Sequence, residues 1–474
     1  MPLKQFTTDF QELVKEKSFR YDVDFVNFQN GFLADRYYSF NDLFEISSKN
    51  KVDIEKLDDD FLYAEIGNVS KDGDIEPVKL NFNERKEEEE NYYKKIGKGD
   101  IIQARENDIL LSKVRPNLKK YVLIDGETKN YFYTSAFIHL EPKKLNKILY
   151  YSLRTIFYKN LIAISRQGKG YPTLKEDDFN SFKFDKKIID TLVEKQDKIV
   201  AQIEPIEKKI KELKNQITPP QEVINKVFAR EFKFDLKKFE ELKNIKNYYL
   251  DLSKFADKRD IRQSVKFHRE AGAFVIDQLK KVTDKKIKHF LAEPIVLGKS
   301  VSPSNYDDNG DYFYVSMANI KNWKFESEDS KLVSNEYSNK NKNKTVAQND
   351  ILVARSGEGT IGKVALIDDG DLKGIFADFT MRVRFQNYDS LFAYYYFRTE
   401  YFQYLVEVNK KGLGNNTNIF PSQIQEFPMI DISLKDQQKI VDEIKTELDA
   451  QEDMNREIEV ERNKIDEIIE SAIK

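Results

Sequence analysis

The sequence is dominated by an internal duplication, whose two copies are offset by about half of the 474 residues. Six short blocks recur in the same order, each about 240 to 250 residues after its first occurrence, as expected for repeated domains whose loops differ in length. Such a chain is predicted to fold into two similar halves. The paired blocks are Tyr63–Asn68 with Tyr314–Asn319, Asn107–Arg115 with Asn349–Arg355, Val122–Gly126 with Ala365–Gly370, Tyr150–Thr155 with Tyr394–Thr399, Gly168–Gly170 with Gly412–Gly414, and Gln196–Val200 with Gln437–Val441.

Each half begins with short apolar runs separated by turns and continues into a long charged segment. Aromatic and β-branched residues predict strands at Asp108–Leu111, Tyr121–Ile124 and Phe132–Leu140. Leu145–Ile164 is predicted to be a helix packed on these strands. The expected fold class is α+β, with two mixed α/β domains in tandem, each followed by a long helix.

The long charged segments carry apolar residues at heptad spacing, which predicts a seam on each helix. The first seam ends at Thr218–Pro220, because consecutive prolines cannot continue a helix. Gln451, Asn455 and Arg462 interrupt the second seam with polar side chains. We predict that the helices pair as an antiparallel coiled coil, which would hold the globular domains at opposite ends of a rod. The seam residues that we assign to these helices are Ile199, Ile203, Ile206 and Ile210 in the first, and Ile440, Ile444, Ile458 and Ile465 in the second.

The charge is distributed unevenly along the chain. The whole chain carries a net charge of −3, but Leu434–Lys474 holds 7 Lys and Arg against 13 Asp and Glu, or −6, which leaves +3 on residues 1–433. An acidic surface repels phosphate, so the second helix suits a protein partner better than nucleic acid. The predicted domains are a first globular domain at 1–186, a helical spacer at 187–231, a second globular domain at 232–433 and a helical region at 434–474.

The composition excludes several classes of protein. The chain has no cysteine and only three histidines, so disulfides, thiolate metal sites and cysteine nucleophiles are excluded, and no metal site is expected. No apolar run approaches the roughly 20 residues of a membrane-spanning helix. The first residues lack the apolar core of a secretory signal. A cytoplasmic protein is expected.

The segment Gly357–Val364 resembles a nucleotide-binding loop, but its chemistry argues against one. A phosphate-binding loop needs Ser or Thr after its lysine, and Val364 follows Lys363 here. The equivalent segment of the first half, Pro116–Lys120, has no glycine. We therefore predict a tight glycine turn between two strands, and we predict no catalytic residues in the chain. An NTPase that uses Gly357–Lys363 is the weakest alternative.

The remaining polar chemistry suits binding to DNA, which requires cations for phosphates and amide, guanidinium or aromatic groups for base edges. Each half carries a basic glycine-containing loop at the same position, and Arg115 and Arg355 lie in matched blocks. The candidate DNA-contacting residues are Lys113, Arg115, Lys119, Lys120, Arg166, Gln167, Lys169 and Tyr171 in the first half, and Arg355, Lys363, Arg382, Lys410, Lys411, Asn415 and Asn416 in the second.

Together these features resemble a known family. The doubled Asn-Asp-Ile-Leu motif, the Ile361–Leu366 turn, the Tyr-x-x-x-Arg-Thr helix, the basic glycine loop and the terminal coiled coil are similar to the specificity subunit of Type I restriction-modification enzymes. The resemblance spans nearly the whole chain. It is better in the second half, because the first lacks counterparts of Gly357, Gly359 and Gly362.

The resemblance implies two target-recognition domains, each reading one half of a split site in double-stranded DNA. It also implies that two modification subunits, which bind S-adenosylmethionine and methylate adenine, dock on the helices, and that restriction subunits with motor and nuclease activity complete the complex. No cofactor is expected in this chain. The alternative function is a stand-alone sequence-specific DNA-binding regulator or an anti-restriction factor.

Overall fold

The chain forms two compact units, and the first of them is built from two separate stretches of the sequence. The first comprises Met1–Asn215 and Asn455–Lys474, and the second comprises Gln216–Met454. The predicted four-part division of the chain stays a prediction. The computed structural model describes residues 36–47, 52, 60–83, 89–167, 170–245, 247–251, 264–328, 330–357, 359–412 and 417–474.

The first unit is built on two four-stranded sheets, which have the strand orders β2-β9-β6-β7 and β4-β3-β8-β5. Strand β6 lies between β9 and β7 in the larger sheet. All of its side chains are buried, as expected for a strand that is covered on both faces. The strands are β1 Tyr37–Ser39, β2 Phe44–Ile46, β3 Asp60–Ala64, β4 Val78–Asn81, β5 Ile102–Gln103, β6 Ile109–Ser112, β7 Tyr121–Leu123, β8 Phe132–Tyr133, β9 Phe137–Pro142, β10 Arg166–Gln167, β11 Pro172–Thr173 and β12 Lys183–Asp185.

The second unit repeats this arrangement. Its larger sheet has the order β13-β21-β18-β19, with the buried strand β18 in the place of β6, and its smaller sheet has the order β17-β14-β20. In both units the smaller sheet contains a parallel pair, β3 with β8 and β14 with β20. The strands are β13 Val296–Leu297, β14 Tyr312–Val315, β15 Ile320–Lys321, β16 Lys324–Phe325, β17 Leu332–Val333, β18 Ile351–Ala354, β19 Val364–Leu366, β20 Gly374–Phe376 and β21 Thr380–Val383.

Helices cover the sheets and form the charged segments. A 39-residue helix, Leu434–Ala472, contributes residues to both units. The helices are α1 Phe40–Leu43, α2 Glu90–Gly97, α3 Asn146–Arg154, α4 Tyr158–Ala163, α5 Lys186–Glu194, α6 Gln196–Gln216, α7 Pro220–Phe232, α8 Leu236–Lys243, α9 Val265–His268, α10 Glu270–Lys280, α11 Asn335–Lys340, α12 Ser390–Arg398, α13 Glu400–Asn409, α14 Pro421–Ile424 and α15 Leu434–Ala472.

Two predicted elements are each divided in the structure. The run Phe132–Leu140 is wrong as a single strand, because a turn at Thr134–Ala136 sends β8 and β9 into different sheets. The Asp100 carboxylate holds this turn by accepting from the Thr134 hydroxyl at 3.0 Å and from the Ser135 N–H at 2.7 Å. The helix predicted at Leu145–Ile164 ends at Arg154 and resumes at Tyr158. The hydroxyl of Thr155, which lies in the break, donates to the Tyr151 carbonyl.

In the first unit, hydrogen bonds and ion pairs join α6 and its preceding residue to the C-terminal part of α15. Lys195 Nζ donates to the Ala472 carbonyl at 2.6 Å. Lys209 Nζ lies 2.7 Å from carboxylate oxygens of both Glu457 and Glu461. A later residue of α6 therefore contacts earlier residues of α15 than Lys195 does.

Arg462, one of the polar interruptions of the second seam, has a specific partner in the first unit. Its guanidinium forms ion pairs with Asp72 and Asp74, and Asp74 also binds Lys214. Burial tends to raise the pKa of Asp74, but the charges of Lys214 and Arg462 outweigh burial and lower that pKa. The polar residue is thus accommodated by charge pairing rather than left unsatisfied in the seam.

In the second unit, α7 and the residues before it contact the N-terminal part of α15. The Thr218 N–H donates to Gln451 Oε1 at 2.8 Å, and Arg230 forms an ion pair with Glu443 at 2.6 Å. The predicted helix break is confirmed, since α6 ends at Gln216 and α7 begins at Pro220. Gln451, a polar interruption of the seam, satisfies a backbone donor at this break.

The glycine-rich segment after β18 is a turn that leads into β19, as predicted. Gly357, Gly359 and Gly362 have φ values of +90°, +76° and +83°, a region that residues with a side chain rarely adopt. The Gly362 N–H donates to the Ala354 carbonyl, and its own carbonyl accepts from Gln403 at 2.8 Å. Glycine at position 362 therefore allows the turn to lie directly against α13.

Replacing Gly362 with alanine is expected to destabilise the second unit by about 1–3 kcal/mol, because strain at positive φ adds to steric overlap. A Cβ at this position would lie 2.9 Å from both Val406 Cγ1 and Gln403 Oε1. Gly359→Ala is the matched control, since its φ is also positive but a Cβ there meets nothing within 4 Å. Urea unfolding of the two variants measures the difference, and equal losses would contradict the packing argument.

Candidate nucleic-acid interface

The repeated Asn-Asp motif forms a structural turn at the start of β6 and β18. Asn107 and Asn349 adopt left-handed backbone conformations, with φ of 74° and 69°. Asp108 then accepts from the Arg105 N–H at 2.7 Å, and Asp350 accepts from the Ala347 N–H at 2.8 Å. The motif therefore fixes the position at which each strand begins. A basic residue follows the opposite end of the strand.

The two basic residues that occupy equivalent places beyond these strands are Lys113 and Arg355. The Lys113 N–H donates to the Ala136 carbonyl at 2.9 Å, as the Arg355 N–H does to the Phe379 carbonyl at 3.0 Å. Their own carbonyls accept from Leu174 and Ile419. The equivalence of Arg115 with Arg355 that the matched blocks suggested is wrong, since Arg115 lies two residues further on, in a left-handed turn.

In the second unit, Arg355 lies close to two exposed aromatic rings. Its guanidinium carbon is 5.8 Å from the centroid of Phe379 and 5.3 Å from that of Phe420. These rings are 46% and 37% exposed, which is unusual for phenylalanine in a folded unit. One guanidinium nitrogen donates to Asn418 Oδ1 at 3.2 Å. The cluster combines a cation, an amide and two apolar rings on one surface.

In the first unit, basic and aromatic side chains meet after β6 in a different arrangement. The exposed Arg115 lies 5.3 Å from the ring centroid of Tyr171, which is 42% exposed. Lys119 Nζ lies 4.4 Å from the ring of Tyr158. Burial raises the pKa of Tyr158, and its hydroxyl donates to the Asn117 carbonyl at 3.0 Å. This surface offers two cations and two amphipathic rings.

Several predicted DNA-contacting residues have partners within the chain. The prediction that Arg382 contacts DNA is wrong. Arg382 is buried, and its guanidinium binds Glu293 and the Thr345 carbonyl, so it does not reach a surface ligand. Arg166 binds the buried carboxylate of Asp178 at 2.7 Å. Three further basic residues also have partners: Lys120 donates to the Ile66 carbonyl, Lys113 donates to the Ser135 carbonyl and pairs with Glu176, and Lys410 pairs with Glu407.

The glycine loops are only partly described. Gln167 belongs to β10, where it is paired with Pro172, and Lys411 lies at an exposed bridge to Asn418. Lys363 is half-buried at the end of the glycine turn before β19. The predictions for Lys169, Asn415 and Asn416 lie outside the described residues.

The seam residues that were assigned to partner docking are directed into the chain. Ile206 is half-buried, and the other seven are buried. The seven buried isoleucines are therefore not accessible from the surface.

Phe379, Phe420 and Tyr158 were not among the predicted site residues. In the sequence they are indistinguishable from the aromatic residues of the core. The available signal is their position: Phe379 immediately precedes β21, and Phe420 immediately precedes Pro421 at the start of α14. Loop positions that flank elements carry function more often than core positions do.

The sequence of the second half matches a known domain. Residues 282–462 match the model of the Type I restriction modification DNA specificity domain. The matched segment contains both the Arg355 cluster and the larger sheet of the second unit, and the resemblance seen in the sequence motifs is confirmed for this part of the chain. Specificity domains are non-catalytic DNA-recognition components, in agreement with the prediction that the chain is not itself an enzyme.

Solved structures aligned with the chain include three from Type I systems. One, described as "Structural basis underlying complex assembly and conformational transition of the type I R-M system", has 15% identity, covers 93% of this chain and 97% of its own, and has a TM-score of 0.39. The HsdS subunit from Thermoanaerobacter tengcongensis has 13% identity, coverages of 92% and 96%, and a TM-score of 0.31. The Type-I restriction-modification system S subunit from M. genitalium has 11% identity, coverages of 92% and 95%, and a TM-score of 0.38.

No curated protein matches the chain. Within the part of the chain that the structure describes, no helix is long and apolar enough to cross a membrane. The similarity to the specificity domain therefore rests on the match to residues 282–462.

Proposed function

We propose that this chain is the DNA-specificity subunit of a Type I restriction-modification complex. In this proposal its two units act as target-recognition domains, each reading one half of a split site in double-stranded DNA. The match of residues 282–462 to the DNA specificity domain carries the proposal. The same strand order in the larger sheet of the first unit supports a second domain of the same kind.

The proposal also assigns a role to the helices, as an antiparallel coiled coil that spaces the readers. Two sets of contacts support this pairing: Lys195 and Lys209 with the C-terminal part of α15, and Thr218 and Arg230 with its N-terminal part. In both sets, residues that come later in the first segment contact residues that come earlier in α15, as expected for an antiparallel pair. The acidic outer surface of α15 then suits two modification subunits, which would supply S-adenosylmethionine and adenine methylation, with restriction subunits completing the complex.

Mapping methylated adenines tests this proposal. The chain is co-expressed with the modification subunit from its own genome in a host that lacks adenine methylation, and the methylated positions are sequenced. The expected motif has two short defined blocks around a fixed undefined spacer, and it should vanish when the chain is omitted. A purified chain that binds one continuous site tightly, and that no modification subunit joins, would instead favour a stand-alone regulator.

A further inference from the structure

We infer that Arg355 is a specificity-determining residue of the second unit, and that it reads a guanine in the major groove while Phe379 and Phe420 hold its guanidinium plane. The inference rests on the proposed function and deepens it, because it names the base and the side chain that recognises it. It concerns the cluster around Arg355 and none of the other candidate cations of the chain.

The backbone of Arg355 is held firmly. Its N–H donates to the Phe379 carbonyl and its carbonyl accepts from the Ile419 N–H, so the residue is fixed between neighbouring segments on both sides. The strand before it is buried throughout and hydrogen-bonded to β19 and β21. A reading side chain on a rigid strand end keeps its position better than one on a free loop.

The neighbours of the guanidinium are neutral groups. The rings of Phe379 and Phe420 lie within 6 Å of it, and Asn418 Oδ1 accepts from one terminal nitrogen. Within the described residues, Arg355 forms no ion pair with a carboxylate, whereas Arg382 pairs with Glu293 and Arg384 pairs with Asp350. The charge of Arg355 is therefore oriented by neutral groups and remains available to an external acceptor.

The chemistry of the cluster favours a base edge over a phosphate. A phosphate requires a cation and gains nothing from two exposed apolar rings. A guanine presents O6 and N7 in one plane, which matches two parallel N–H groups of an arginine, and apolar side chains can contact a neighbouring thymine methyl. A planar cation close to two apolar rings fits this second description.

The first unit does not repeat this arrangement. At the equivalent position Lys113 donates to the Ser135 carbonyl and pairs with Glu176. Ala136 and Lys175 stand where the second unit has Phe379 and Phe420, by the pairings that align Lys113 with Arg355. The contact inferred for Arg355 therefore has no counterpart at the equivalent position of the first unit.

The test compares methylation motifs of the complete complex with the wild-type chain and with Arg355→Lys. Lysine keeps the charge but loses the paired donors, so the preference for guanine over other bases at one position should fall about 10- to 100-fold. The other block and the spacer should not change. Phe379→Ala with Phe420→Ala should weaken the same position, and Lys340→Gln, at an exposed pair with Glu336, should leave the motif intact.

Each outcome has a distinct meaning. An unchanged motif with Arg355→Lys would overturn the inference, as would a uniform loss of affinity across all sequences with a smaller salt dependence in Arg355→Gln, the signature of a phosphate contact. If the wild-type complex yields no split motif, the proposed function itself fails, and this result is obtained before any variant is compared. Thermal unfolding of each variant confirms that the second unit is folded.

Discussion

Asp350→Ala is expected to reduce the free energy of unfolding of the second unit by about 2–3 kcal/mol, because it removes the buried acceptor of charge-assisted hydrogen bonds from Arg384, which keeps Glu293 at 3.5 Å as its other partner. Asp350 is fully buried and accepts from Arg384 at 2.7 Å and 2.8 Å. It also accepts from the Ala347 N–H, which holds the turn that leads into β18. One substitution therefore removes an ion pair and a turn contact together. Urea unfolding of the full chain measures the loss.

Glu336→Ala is the matched control for this prediction. Its carboxylate also pairs with a cation, Lys340, but the two side chains are 78% and 72% exposed. Exposed pairs contribute only about 0–1 kcal/mol, so the stability should hardly change. Similar losses in Asp350→Ala and Glu336→Ala would show that burial of Asp350 does not determine its contribution.

Ile203→Asp is expected to destabilise the first unit by about 3–5 kcal/mol, since a charge without a partner is placed where an apolar side chain was buried. Ile203 has no exposed surface and lies in α6, whose Lys209 binds Glu457 and Glu461 on α15. In the complex we expect loss of modification-subunit binding, because the helical pair would no longer be formed correctly. Co-purification and thermal unfolding measure the two effects.

Ile206→Asp provides the comparison for Ile203→Asp. Ile206 lies on the same helix but is only half-buried, so its carboxylate can reach water and the loss of stability should be clearly smaller. If both variants lose the same stability, the seam is less specific than the burial of its isoleucines indicates. If both keep normal stability and normal subunit binding, the helices do not act as the spacer.

The sequence predicted the parts of the fold that depend on local pattern. The Asn-Asp motif at Asn107 and Asn349 recurs because each copy needs the same left-handed turn, and this need is visible as a repeat. The break at Thr218–Pro220 follows from proline chemistry alone. The glycine turn before β19 follows from the closely spaced Gly357, Gly359 and Gly362, because glycine readily adopts the positive φ of a tight turn.

The binding surface was predicted less well, because an arginine has the same sequence signature whether it faces solvent or a buried partner. Arg382 pairs with Glu293, which lies 89 residues away, and no local pattern reports this contact. Phe379 and Arg355 meet because β18 and β21 are neighbours in the sheet. The division of Phe132–Leu140 likewise depends on Asp100, a residue from outside the run. These features depend on tertiary contacts.

The composition of the first unit has a consequence for how the chain is made. This unit needs residues 455–474 as well as its first 215, whereas the second unit is continuous from 216 to 454. A ribosome therefore completes the second unit before the first, the reverse of the usual order in which amino-terminal domains fold first. Until the last segment emerges, α6 lacks the helix that its lysines bind. The nascent protein must keep Ile199 and Ile203 from aggregating throughout the synthesis of the whole second unit.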